Sequence, residues 1–178
     1  MSHSPSACAP LPLLLVDTGG TFNKRYDPVA GRLRVEGGAD AAERILASAS
    51  ENLALQCLQP VCKDSLEMTP DDREAVAHAI EVADAPWDRA PVLVIHGTDT
   101  MALTAETIAA RLPGRRVVLT GAMRPYEIDP VEPAFNLGMA LGFAQAGSEP
   151  GVFLAMSGLV RSWKELVKDR EAGVFRPR

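Results

Sequence analysis

Pro91-Val92-Leu93-Val94-Ile95-His96 carries no polar residue until its last position. A strand with one wet face alternates apolar and polar side chains. A run that does not alternate is buried on both faces, as in a parallel sheet covered by helices. This run stops abruptly at Gly97-Thr98-Asp99-Thr100. The same pattern recurs along the chain. Leu13–Val16 ends in Asp17-Thr18-Gly19-Gly20-Thr21, and Leu53–Val61 in Cys62-Lys63-Asp64-Ser65. Arg116–Thr120 ends in Gly121-Ala122-Met123-Arg124-Pro125, and Gly151–Met156 in Ser157-Gly158.

Helical patterns separate these runs. Asp40–Ser50 reads as a helix with Ile45 and Leu46 facing inward. Thr69-Pro70-Asp71-Asp72 is a helix start: Thr69 can cap, Pro70 suits the first position, and the acids favour the positive end of the dipole. Val76, Ile80 and Val82 supply its buried side, and Pro86 and Trp87 break it. Met101, Ala105, Ile108 and Leu112 share one helical face. A further helix follows Glu132-Pro133 and is expected to bury Phe135, Met139 and Phe143. Five strands alternating with helices imply βαβ crossovers. The expected fold is α/β: a doubly wound, mostly parallel five-stranded sheet of flavodoxin- or Rossmann-like order. In such sheets ligands bind outside the carboxyl ends of the strands, near the switch point. All five polar clusters lie on that edge, with Thr18 and Thr21 expected to be displayed there. Between them, Gly19 and Gly20 allow a tight turn and close approach of backbone to a ligand. Phe22–Pro28 reads as a mobile loop, followed by a short edge strand at Arg32–Val35. Tyr26 in that loop either closes over a ligand or caps the sheet edge. The segment from Leu159 is mixed, and no internal repeat is found.

Composition narrows the function classes. The chain has 178 residues, 47% hydrophobic and 23% charged, which suits one domain over residues 11–178 with a flexible tail at 1–10. The net charge is −5 and no basic stripe appears, which argues against nucleic acid. No segment approaches the ~20 apolar residues of a membrane span, and the run at Leu11–Val16 is too short for a signal peptide. Cys8, Cys57 and Cys62 form neither a disulfide framework nor a zinc pattern, so a reduced, cytoplasmic setting is expected and no metal. Glycine-rich nucleotide fingerprints are missing, so no cofactor is expected. Of the three histidines, His3 lies in the tail and His78 mid-helix. His96 abuts a buried strand and reads as a satisfied structural histidine.

What remains is threonine beside glycine, with Asp99 and several lysines. A threonine hydroxyl needs a base or charge network to act as a nucleophile. A lysine near Thr98 and Asp99 could provide it. Backbone N–H groups at Gly97–Asp99 could hold an oxyanion. That set suits acyl transfer from an amide or ester. Thr98 and Asp99 also read simply as N-caps of the following helix, and the two readings are compatible.

Four blocks carry a family resemblance. Asp17-Thr18-Gly19-Gly20-Thr21 and His96-Gly97-Thr98-Asp99-Thr100-Met101 resemble the two signatures of the bacterial L-asparaginase/glutaminase family. Thr120-Gly121-Ala122-Met123-Arg124-Pro125 and Phe135-Asn136-Leu137 resemble further blocks, in the same order. The resemblance covers nearly the whole chain from Leu13. It implies an L-asparaginase without cofactor, with Thr21 as acyl acceptor and Tyr26 as lid tyrosine. Thr98, Asp99 and Lys168 correspond to the activating threonine-acid-lysine set, with Lys164 as the rival lysine. Asp99 would hold the substrate α-ammonium and Ser65 the α-carboxylate. Gly20, Asp64 and Gly97 complete the implied substrate contacts.

Two departures stand out. Leu66 occupies the position of a family glutamine, so carboxylate or amide recognition is expected to fall to Asp64 or Lys63. The chain also stops at Arg178, before the C-terminal domain that family members commonly carry, and so resembles compact single-domain forms. The expectations are L-asparagine as small-molecule substrate and a homo-oligomer covering exposed sheet and helix faces. The alternatives are a glutaminase or broader amidase, and a non-catalytic amino-acid-sensing module.

Overall fold

A computed structural model describes residues 9–178. His3, Cys8 and most of the expected tail lie outside the described residues. The central sheet has six strands: β1 (Leu11–Asp17), β4 (Leu53–Leu58), β5 (Val92–Ile95), β6 (Arg116–Thr120), β7 (Gly151–Met156) and β8 (Leu159–Ser162). Their order is β4-β1-β5-β6-β7-β8. The first five are parallel, and counted along the chain they follow the order 2-1-3-4-5 expected of a doubly wound fold. The sixth, β8, folds back antiparallel on β7 from the segment that reads as mixed in sequence. Its turn, Ser157-Gly158, has both residues at positive φ, and none of the four positions of β8 is fully buried, which blurs the alternation a strand would show.

The period of two along β1 sets the layers. Leu14 and Val16 face α2 (Pro70–Glu81) and α3 (Met101–Arg111), packing with Val76, Ile80, Val92, Val94 and Ile108. Leu13 and Leu15 face α1 (Asp40–Leu46) and α4 (Val131–Gln145), packing with Leu46, Leu93, Ile95 and Leu137. β5 is buried at every position, as its unbroken apolar run requires. The start of α2 is a capping box: Thr69 Oγ1 accepts the Asp72 N–H at 3.2 Å while the Asp72 carboxylate accepts the Thr69 N–H at 2.8 Å.

Three expectations about helices change. Val82, expected on the buried side of α2, is its C-terminal cap and points to solvent. The first helix ends at Leu46 and continues as 3-10 turns over Ala47–Asn52. Helix α4 does not bury Phe135, which is 57% exposed. It faces the sheet with Asn136, Leu137, Ala140 and Ala144 instead. Small residues let the helix sit close to the sheet. Phe143 stays half-buried at the rim, edge-on to Phe153 at 4.8 Å and beneath the Arg116 guanidinium at 4.5 Å.

The expected loop at 22–28 is in part a hairpin of β2 (Lys24–Asp27) and β3 (Arg32–Val35). A second hairpin, β9 (Leu166–Asp169) and β10 (Val174–Pro177), follows β8. No helix among the described residues is long and apolar enough to cross a membrane.

Candidate active site

All five parallel strands end on one edge, and three of the turns there touch through backbone. The turn after β1 continues the ladder toward the segment after β4: Lys63 N–H donates to Thr18 O at 3.1 Å and Gly20 N–H to Lys63 O at 3.0 Å. A side chain on Gly20 would begin 2.5 Å from the Gly97 backbone, and one on Gly97 would begin 2.6 Å from Ser65 Oγ. Only glycine permits this stacking, and Gly20 also sits at φ 80°. Thr21 and Thr98 each follow one partner of the Gly20–Gly97 contact. Two strand ends thus bring two threonines each within one residue of the same backbone contact.

Thr18, expected on display, is not. It is buried, and its hydroxyl and N–H both donate to Ile95 O, at 2.9 and 3.0 Å. Thr18 therefore pins the turn to β5, while Thr21 begins a 3-10 turn and remains half-buried.

Thr98 is buried, and Lys168 Nζ on β9 donates to Thr98 Oγ1 at 2.8 Å and to Asp99 Oδ1 at 3.0 Å. Lys164 is exposed, its ammonium 5.5 Å above the Trp163 ring. Thr98 and Asp99 are not caps of α3. The cap position is Thr100, whose hydroxyl donates instead to Ser65 O at 2.7 Å. That leaves the Thr98 side chain to Lys168, and Asp99 to Lys168 with Arg170 farther off at 3.9 Å. The helix starts at Met101, so the Gly97–Asp99 amides precede it rather than open it.

Ser65 is buried, and its Oγ has no hydrogen-bond partner in the protein. Beside it, Asp64 pairs with Lys24 at 2.7 Å and accepts the Leu66 N–H at 3.1 Å. Burial pushes the Asp64 carboxyl up, but Lys24, the Leu66 amide and the Lys168 charge together hold it below the usual range. Lys63, offered for carboxylate recognition, is engaged elsewhere. Its ammonium contacts both Asp72 oxygens at 2.8–2.9 Å and holds that carboxyl down at about 2. Leu66 is exposed.

His96 is fully buried, with Nδ1 2.7 Å from Gly97 O and Nε2 2.7 Å from Thr104 Oγ1. Burial pushes its pKa down to about 4. A neutral ring with both nitrogens engaged is structural, as its place in the sequence implies. Tyr26 is not brought in among these residues. Its side chain is 58% exposed on β2, where its N–H donates to the Glu127 carboxylate at 2.9 Å.

The turn after β6 is held by residues to which the sequence alone assigns no role. Asn136 Nδ2 donates to Gly121 O at 3.0 Å, and Glu132 accepts the Met123 and Arg124 amides at 2.8 and 3.1 Å. A cleft of about 420 Å³ lies behind the Thr21 turn, lined by Phe22, Asn23, Lys24, Arg25, Arg44 and Tyr126 among others. Thr98, Asp99 and Lys168 do not line it, so chemistry rather than size marks the site. Among the described residues no acid, histidine and cysteine cluster could hold a metal.

The chain matches the family model described as "Asparaginase, N-terminal" over residues 12–171. It belongs to the asparaginase family. It is 35% identical over 94 residues to the L-asparaginase of Thermococcus kodakarensis, covering 52% of this chain and 28% of that one. It is 31% identical over 150 residues to a glutamyl-tRNA(Gln) amidotransferase component of Methanopyrus kandleri, covering 81% of this chain and 32% of that one. The structure of the thermostable L-asparaginase from Thermococcus kodakarensis superposes with a TM-score of 0.80 at 25% identity, covering 94% of this chain and 51% of that one. The chain thus spans about a third of the curated relatives it matches and about half of the solved structure.

Proposed function

We propose that the chain is an L-asparaginase, converting L-asparagine and water to L-aspartate and ammonia. The observation that carries the reading is the Gly20–Gly97 contact, with Thr21 on one side and the linked Thr98, Asp99 and Lys168 on the other. Thr21 Oγ attacks the side-chain amide carbon and its proton passes into the Thr98–Lys168 set. The C–N bond then breaks, and ammonia leaves with a proton from the same set. Water attacks the threonyl ester, aspartate departs, and the Thr21 hydroxyl is restored. Asp99 receives the α-ammonium in a charge-assisted contact. Ser65 Oγ, buried without a protein partner, donates to the α-carboxylate. Asp64 orders the Lys24 ammonium beside it, and the backbones of Gly20 and Gly97 leave room for the substrate. Tyr26 closes over the site when its hairpin moves.

A glutaminase or broader amidase is the second reading. The amidotransferase component among the relatives and Leu66 in place of glutamine favour it. A non-catalytic amino-acid-sensing module is the third. The proposal includes the compact domain over residues 11–178, the cytoplasmic setting and the homo-oligomer, the last read by sedimentation. Ammonia release from L-asparagine and L-glutamine, with Thr21→Ala beside the wild type, tests the reaction. Release from asparagine that falls by roughly a thousandfold or more in Thr21→Ala supports it. Faster release from glutamine moves the assignment to the second reading. Amino-acid binding without turnover moves it to the third.

A further inference from the structure

Asp17 ends β1, and nothing in the proposed reaction uses it. Its side chain is buried at the innermost point of the turn that carries Thr21. Oδ1 accepts the Gly19 N–H at 2.8 Å, and both carboxylate oxygens lie 2.7 Å from Asn23 Nδ2. One carboxylate thus grips the segment before and after Gly20-Thr21-Phe22. An apolar residue would serve the strand equally well and would avoid burying an ionisable group. The carboxylate is therefore best explained by the turn it holds.

We propose that Asp17 is a positioning residue for Thr21: with Asn23 it clamps the turn between them and so fixes the direction of the Thr21 hydroxyl. The proposal rests on the reading of Thr21 as acyl acceptor. It also accounts for an otherwise odd feature. Asn23 Oδ1 is buried and has no hydrogen-bond partner. An ionised Asp17 can offer that oxygen nothing. A protonated Asp17 can donate its O–H to Asn23 Oδ1 while its other oxygen keeps the Asn23 N–H, a two-point acid–amide pair. Forming that pair turns the amide and disturbs the turn behind Thr21. Desolvation pushes the Asp17 carboxyl up to about 6, against the Gly19 and Asn23 hydrogen bonds that lower it. The clamp therefore changes form within the working range of an enzyme.

Besides burial, the Gly19 and Asn23 hydrogen bonds are what act on Asp17, and no cation among the described residues pairs with it. Cys57 on β4 and Cys62 after it, both reaching the surface, are held as neutral thiols by partial desolvation and nearby carboxylates, Glu43 of α1 ahead of Asp17 for Cys57 and Asp17 for Cys62. Around the cleft that Asn23 lines stand Lys24, Arg25, Glu36, Arg44 and Glu127.

The test measures ammonia release against pH for wild type, Asp17→Ala, Asp17→Asn and Asn23→Ala, and amide hydrogen exchange over residues 18–23 for each. Asp17→Ala is expected to lower kcat by about 10- to 100-fold with a far smaller change in KM, as a mispositioned group does. Asp17→Asn can pair amide to amide with Asn23. It should recover part of that loss and lack the acid limb near pH 6 expected of the wild type. Asn23→Ala keeps Asp17 and should lose less than Asp17→Ala, so the proposal stays testable if Asp17→Ala does not fold. Wild-type kcat in Asp17→Ala and Asn23→Ala overturns the proposal, as does an unmoved acid limb in Asp17→Asn. If the wild type itself releases no ammonia, the function reading has failed and exchange alone decides the clamp. Faster exchange confined to residues 18–23 in the variants supports it, and unchanged exchange overturns it.

Discussion

The two hairpins outside the central sheet share one construction and differ in one respect. β2–β3 turns through Asp27-Pro28-Val29-Ala30-Gly31, and β9–β10 through Asp169-Arg170-Glu171-Ala172-Gly173. In each, the aspartate Oδ1 accepts two turn amides, and its backbone oxygen accepts the N–H of a glycine at positive φ. In each, an arginine on the return strand pairs with the same aspartate, Arg34 at 2.9 Å and Arg176 at 3.2 Å. Each also carries a proposed catalytic residue directly before that aspartate: Tyr26 in one, Lys168 in the other. The difference is docking. Leu166 and Phe175 anchor the second hairpin in the core, and the Lys168 side chain is only 14% exposed. The first hairpin shows Tyr26 and Leu33 to solvent. A proton-moving group must be held in place before substrate arrives, whereas a lid must be free to move. The same turn serves both because packing, not the turn, decides which hairpin is fixed.

The strongest way to break the comparison is at the two side chains proposed to be catalytic. Lys168→Met removes the donor to Thr98 and should lower kcat by about 10²- to 10⁴-fold while circular dichroism stays native. Tyr26→Phe removes the hydroxyl that the closed lid would engage, a hydrogen bond of about 1 kcal/mol, and should lower kcat only about five- to tenfold. Equal losses would mean that both hairpins are part of a preformed site. Next come the anchors. Phe175→Ala empties a core position and should destabilise the fold by about 3 kcal/mol or more in urea unfolding, with Leu33→Ala within about 1 kcal/mol. Hydrogen exchange with saturating L-aspartate sharpens the contrast. Residues 24–35 should gain protection, and residues 166–177 should be protected already.

Much of this was legible in the sequence. The unbroken apolar run of β5 and the polar clusters after each strand are enough for the parallel order and for the edge that holds the site. The capping box at Thr69 follows from local chemistry alone. The hairpins were less legible because their strands are short and their faces mixed, so neither alternates cleanly. Helix α4 misled because it is apolar nearly all round. The largest side chains then look like the core, although the sheet selects the small face of Ala140 and Ala144. Thr18 and Thr21 are alike in sequence, and only the register of β1 on β5 turns one inward to Ile95 O. The Asp17–Asn23 clamp is a tertiary contact across a glycine turn, which no spacing rule announces.

Folding stability gives an independent view of Asp17. Its carboxyl is raised, so the native state holds the proton more tightly than the unfolded chain. From the ordinary carboxylate range up to about 6, stability from this group falls as pH rises. Asp17→Asn removes that penalty and should stabilise the fold at neutral pH by about 3 kcal/mol at most, with little gain in acid. A variant less stable at neutral pH than the wild type would mean that the ionised carboxylate holds the fold as well as the turn.

The smallest effect lies in the turns themselves. The Ala30 amide leads in holding Asp27 below the usual carboxylate range, opposed by desolvation, and the Ala172 amide does the same for Asp169. Val29 and Arg34 add to the first, Arg176 and Glu171 to the second. A lowered carboxyl contributes stability that is present above its unfolded pKa and lost as pH falls through the folded one. Both turns should therefore weaken only in strong acid, below the window in which Asp17 titrates. Both aspartates lose the same kinds of turn contact in acid, so a difference in opening reports the docking. The amides of Gly31 and Gly173, each bonded to the aspartate four residues earlier, are the probes. Gly31 should lose protection in acid while Gly173 keeps it, since Leu166 and Phe175 hold the second hairpin closed without its turn. Gly31 and Gly173 opening together would mean that the turn rather than docking holds each hairpin closed, and would leave Lys168 no better held than Tyr26.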